Sequence, residues 1–161
     1  MRFNLQQRFS AGVADVLDLY SDPDFHTSLT GLTKVATPTL VSCRRTSEQV
    51  EMRLAYRFIA ELPGAVTAVI DPERLTWVEH TIFDIAAATS TTTLLPDHYA
   101  DKLKASINCR FTEDGEGATR SVAGDLEVHM FLVGGQVEKA IVSGLSEHLA
   151  EESAQAESRL T

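Results

Sequence analysis

The side chains that could do chemistry in this chain are a few carboxylates, five histidines and two cysteines. Glu79 is the most pointed of them. It sits in the run Thr76 to Asp84 on the same parity as Trp77 and Phe83. In an extended segment that parity sets a carboxylate on the apolar side, where loss of water raises its pKa and makes it an acid or a polar anchor. A bulge or register shift would return it to solvent. An imidazole facing a pocket could serve as a general base near neutral pH. His80, however, alternates with Trp77, Thr81 and Phe83, and His129 has the parity opposite Val128 and Met130, so both point outward. His148 shares a helical face with Ile141 and Leu145 and is the one histidine that could line an interior space, or simply be a satisfied helix histidine. Together with Tyr56, Glu79 and His148 form the set that could move protons on a bound substrate.

Other chemistries lack their signatures. Cys43 and Cys109 each lie in an extended run and read as two small buried thiols, with no C-x-x-C or Cys/His spacing of a zinc site. Gly134-Gly135 lacks the G-x-G-x-x-G or Walker spacing and its lysine, so it reads as a turn. Neither a G-x-S-x-G elbow nor an H-E-x-x-H pair is present. The sequence therefore implies no metal, no cofactor and no assignable catalytic residue.

The elements that must position these groups are legible in the periodicity. Phe3, Leu5 and Phe9 mark an opening strand. Val13, Val16, Leu17 and Tyr20 recur at helical spacing, and Ser21-Asp22-Pro23-Asp24 starts a second helix, giving two short helices over 11–20 and 23–30. From Thr39 the period changes to two. Leu40 to Arg45 is one strand, and Val50, Met52, Leu54, Tyr56 and Phe58 form the inner face of the next. Strands follow over 76–84 and 89–95. Leu103, Ala105, Ile107, Cys109 and Phe111 alternate with polar residues, and Glu113-Asp114-Gly115-Glu116-Gly117 turns the chain into a return strand bearing Val122, Leu126, Val128 and Met130 on one parity. Val137, Ile141, Gly144, Leu145, His148 and Leu149 then recur every three or four residues as a long amphipathic helix, whose tail over 151–161 is anchored only by Leu160 and can fray.

At 161 residues this is the length of one domain, with no linker or repeat to divide it. Apolar residues supply 43% and charged residues 23%, the balance of an ordinary folded protein. No stretch approaches the roughly 20 apolar residues of a membrane helix, and the N-terminus lacks a leader pattern, so a cytoplasmic protein that is not membrane-embedded is expected. A net charge of -9 opposes nucleic acid as a partner. A sheet with one apolar face needs a cover, and the terminal helix is the element long enough to supply it. The expected fold class is thus α+β, a curved antiparallel sheet around a long C-terminal helix.

That order of elements resembles the START-like, or SRPBCC, superfamily, and in particular a branch best known from actinobacteria. The residues that carry the likeness are Phe3 to Tyr20, the turn Ser21-Asp22-Pro23-Asp24-Phe25, and the junction from Val128 to Glu138, where Phe131 stands in place of the branch's usual proline. The resemblance implies a helix-grip fold with a cavity between sheet and helix and a hydrophobic small molecule or lipid as its occupant. Candidate ligand contacts are Met52, Leu54, Tyr56, Phe58, Glu79, Ile107, Phe111, Leu126, Val128, Ile141, Leu145 and His148. All but Glu79 and His148 would read identically as core. Two rival functions stay open: a cyclase or aromatase-like enzyme, which needs convergent polar groups in a cavity, and an interaction module with a filled core, favoured by an inner space below about 300 Å³.

Overall fold

A computed structural model describes residues 1–161. The chain runs β1 (Arg2–Phe9), α1 (Val13–Tyr20), α2 (Pro23–Thr27), β2 (Thr39–Arg45), β3 (Gln49–Arg57), α3 (Gly64–Thr67), a 3-10 turn at Pro72–Arg74, β4 (Thr76–Asp84), β5 (Thr89–Pro96), β6 (Leu103–Asp114), β7 (Gly117–Val128) and α4 (Gly134–Leu160). The seven strands form one antiparallel sheet in the order β1-β7-β6-β5-β4-β3-β2, with α4 laid against its inner face. This is the α+β helix-grip architecture that the sequence implies.

Local chemistry accounts for the element boundaries. The Asp22 side chain accepts from Asp24 N–H at 2.9 Å and Pro23 holds the first helical position, so α2 begins there. At the β6–β7 hairpin Gly115 takes φ +65°, and a Cβ on Gly117 would stand 2.1 Å from the Phe9 carbonyl oxygen, so β1 can approach only a glycine. On β3 burial alternates without a break, with Val50, Met52, Leu54 and Tyr56 inside.

The core is concentrated at one end of the sheet. Phe9, Tyr20, Phe25 and Phe111 pack edge to face or tilted around Tyr20, with ring centroids 5.4 to 6.0 Å apart, and Val16 and Leu17 of α1 close over them. Each such side chain contributes on the order of 1.5–3 kcal/mol by leaving water. At the other end, around α3, only Val66, Ile70 and Val137 form a small separate cluster.

Two expectations are corrected here. Cys43 is exposed, because β2 is an edge strand open along its whole length; Cys109 alone is a buried thiol, and neither is in a disulfide. Gly134-Gly135 is not a turn but the first residues of α4, and the reversal falls just before it, at Leu132 with φ 67°. The tail is helical, as α4 continues to Leu160 with Ala156 fully buried, Gln155 exchanging hydrogen bonds with the Thr30 backbone, and Arg159 bonded to Ser28 over the Phe25 ring.

Candidate ligand-binding site

Between sheet and helix lie two adjoining chambers. The outer one has a volume of about 80 Å³, and 13 of its 19 lining residues are hydrophobic, so it is a place for carbon rather than for ions. Its walls are Phe58 just past the end of β3, Trp77 from β4, and Val137, Ile141 and Leu145 from α4. Gly144 leaves room on the helix side: a Cβ there would come within 3.4 Å of the Phe58 ring. The rim is polar. Arg74 Nη2 lies 3.3 Å from His98 Nδ1 and its guanidinium 5.4 Å from the Tyr99 ring centre, while Tyr99 Oη accepts from Asp71 N–H at 3.1 Å.

The inner chamber, about 40 Å³, is built by sheet register. Across the strands Glu79 pairs with Leu54 on one side and Leu94 on the other, so its carboxylate stands in an otherwise apolar row. Trp77 Nε1 donates to Glu79 Oε1 at 3.3 Å. The next row holds Met52, Thr81, Thr92 and Ile107, with the two threonine hydroxyls 2.8 Å apart. Farther along β7, Arg120 lies beside Gln7 and Phe111 in register, stacks 4.2 Å over the Tyr20 ring, and donates from Nη1 to Gln7 Oε1 at 2.9 Å and to Glu152 Oε1 at 3.2 Å. Glu152 Oε2 is 3.6 Å from His26 Nδ1 and 3.9 Å from His148 Nε2. His26 Nε2 is fixed in turn at 2.8 Å from the Tyr20 carbonyl.

The electrostatics of the inner chamber separate two carboxylates. Burial pushes Glu79 up to about 7, with the Glu152 charge adding to the rise and the Trp77 hydrogen bond, His26 and Arg120 opposing it. Burial acts on Glu152 the same way, but His26 and Arg120 outweigh it and hold that carboxyl at about 2. Burial lowers His148 below its usual range and raises Tyr20 and Tyr56 above theirs. At neutral pH the Arg120–Glu152 pair is therefore charged on both sides, His148 is neutral, and Glu79 is divided between its two forms. No three His, Cys, Asp or Glu side chains converge to hold a metal ion.

The sequence-derived candidates divide between the chambers. Phe58, Val128 and Ile141 line the outer one, Met52, Leu54, Tyr56, Glu79 and Ile107 the inner one, and Leu145 and His148 both. Phe111 and Leu126 line neither; they are core, Phe111 against Tyr20 and Leu126 on β7 at 2% exposure. His80 lies on the outer face, bonded to Glu51 at 2.9 Å, and His129 is exposed. The residues missed are Tyr20, His26, Arg120 and Glu152. A signal for two of them existed: Arg120 shares the parity of Val122 and Leu126, and Glu152 stands one helical turn after His148.

Comparison with known proteins agrees with this architecture. A START superfamily protein from Mycobacterium smegmatis superposes with a TM-score of 0.60 at 14% identity, over 99% of each chain. The ZhuI aromatase/cyclase from a Streptomyces species gives 0.69 at 14% identity, over 100% of this chain and 96% of that one. A norcoclaurine synthase point mutant from Thalictrum flavum, in complex with a transition state analogue, gives 0.68 at 14% identity, over 100% and 96%. At such identities the likeness concerns the fold. No curated protein matches the chain. The model of the family described as "Protein of unknown function (DUF2505)" matches residues 4–160, and the chain, whose fold is START-like, belongs to that family.

Proposed function

We propose that the protein binds a compact, largely apolar small molecule between its sheet and α4, as a carrier or sensor rather than a catalyst. The observation that carries this reading is the outer chamber, an apolar space bounded by Phe58, Trp77, Ile141 and Leu145 in a fold whose opposite end is tightly packed. That a protein of this fold was obtained with a transition state analogue supports the idea that the architecture can hold a small molecule. Apolar burial drives such binding at about 25 cal/mol per Å² before ordering costs.

Each rival reading has an observation in its favour. At about 80 Å³ the outer chamber falls short of the roughly 300 Å³ of a drug-sized pocket, which supports an interaction module with a filled core. The gathering of Tyr56, Glu79 and His148 around the inner chamber supports an enzyme of the cyclase kind. Native mass spectrometry of the purified protein, followed by solvent extraction, separates them. One apolar compound per chain, released unchanged, supports the carrier. A protein that carries nothing and takes up no fluorescent lipid probe points to the interaction module, and conversion of an added compound points to the enzyme.

A further inference from the structure

The inner chamber holds more unsatisfied polarity than a packed core tolerates. Tyr20 Oη, Arg120 Nε and His148 Nδ1 have no hydrogen-bond partner, although their residues are only 1%, 8% and 3% exposed. Buried polar atoms in native proteins are nearly always paired, and each unpaired one costs about 1–3 kcal/mol. The side chains that bear them line a space of about 40 Å³, enough for one or two non-hydrogen atoms and not for a second apolar body. That space adjoins the outer chamber at Leu145 and His148, and Trp77, a wall of the outer chamber, is hydrogen-bonded to Glu79 in the inner one.

We infer that the inner chamber receives the polar end of the ligand whose body fills the outer chamber, and that this end is a single uncharged hydroxyl, as in a phenol or an alicyclic alcohol. The inference rests on the ligand-binding reading above. It follows from charge and from donor count. Arg120 is already neutralised by Glu152, so an anionic head would bring a negative charge close to Glu79 and Glu152 with no free cation to meet it. An ammonium head would meet Glu79, but it would also lie near Arg120 and lose its hydration in a space lined by Leu54, Ile107 and Phe83. A hydroxyl both donates and accepts. It can donate to the Glu79 carboxylate or to an unprotonated His148 Nδ1, and accept from Arg120 Nε–H or the Tyr20 hydroxyl. A bare carbonyl could use only the second pair.

The single tryptophan makes the test direct, because Trp77 lines the outer chamber and is hydrogen-bonded to Glu79 of the inner one. The intact protein and its Glu79→Leu variant are titrated with propylbenzene, para-propylphenol, para-propylbenzoate and para-propylbenzylamine, with Trp77 fluorescence as the signal. In the wild type the phenol is expected to bind about tenfold tighter than propylbenzene, the gain of one hydrogen bond to a charged or strongly polar group. The benzoate and the amine are expected to bind more weakly than the phenol. Glu79→Leu is expected to erase the phenol's advantage while propylbenzene still binds, which also reports that the variant is folded. Equal affinity for phenol and propylbenzene, or tightest binding of the benzoate or the amine, overturns the hydroxyl assignment and leaves the outer site standing. Failure of all four probes overturns the ligand-binding reading itself.

Discussion

The substitution Glu79→Gln should make the protein more stable above neutral pH and leave it unchanged in acid. Gln keeps the size of the side chain and an oxygen for the Trp77 N–H, but it never ionises. In the folded protein the Glu79 carboxyl is raised from 4.5 to about 7, chiefly by burial. Between those two values the folded state holds a proton that the unfolded state has lost, so the free energy of unfolding falls as pH rises through that window. Below it both states are protonated and the carboxyl costs nothing. Above it both are ionised and the full cost of an ionised carboxylate in an apolar row is present. The shift corresponds to roughly 3 kcal/mol, and the partial accessibility of the side chain reduces this to about 2 kcal/mol. Neighbouring groups have their own pH dependence. Glu152, held at about 2, loses its contribution only as pH falls below 4.5, and His148, lowered from 6.5, withdraws stability as pH falls below that value. Both are common to wild type and variant and cancel in the difference. Urea unfolding followed by far-ultraviolet circular dichroism, which does not depend on the Trp77 environment, measures it. The two proteins should coincide at about pH 4.5 and diverge to about 2 kcal/mol near pH 8. A difference that stays constant across the range would refute the placement of Glu79 in a desolvated site.

Four further variants probe the frame around the chambers. Glu152→Ala strips the 8%-exposed Arg120 of its counter-charge and should cost about 3–5 kcal/mol in urea unfolding, whereas the double change Arg120→Met with Glu152→Leu should recover most of that loss. Gly144→Ala adds a methyl 3.4 Å from the Phe58 ring; it should stabilise α4 by about 1 kcal/mol in thermal unfolding while weakening propylbenzene binding by narrowing the outer chamber. Gly117→Ala would press on the Phe9 carbonyl at 2.1 Å, parting β1 from β7, and should cost about 1–3 kcal/mol by the same urea measurement.

How much of this could be read from sequence depended on whether one residue's position followed from its neighbours. Glu79 could be placed because β4 pairs with β3 and β5 without a bulge, so its parity with Trp77 and Phe83 carried through the strand. Arg120 has an equally regular strand, yet a guanidinium on an apolar parity reads as an exception until its partner is known. That partner, Glu152, lies on α4, in a tail whose Ala, Ser and Glu content hides it, so that only its place one turn after His148 hints at burial. Phe111 and Leu126 show the converse limit. They share their parity with Ile107 and Val122, but whether an inner position faces a chamber or packed side chains depends on what covers it, and at Phe111 the cover is Tyr20 of α1. The exposure of Cys43 escapes the pattern for a related reason, since strand order and not alternation determines which strand is the edge.

The same arrangement explains how a ligand could enter without unfolding the protein. Under the last part of α4 lie the aromatic core and the Arg120–Glu152 pair, with Leu149 at 5% and Ala156 at 0% exposure. Under its first part lie the outer chamber and a cluster of only three buried residues, Val66, Ile70 and Val137. Local opening requires little free energy where few apolar contacts must part, so α4 should not open as one unit. Amide hydrogen exchange should be faster over residues 134–144 than over 145–156, and a bound alkylphenol should slow the first group more than the second. Uniform protection along α4 would mean that the helix is clamped along its whole length. Entry would then have to pass the rim formed by Arg74, His98 and Tyr99, where the positive φ of Tyr99, 61°, marks the loop that would have to move.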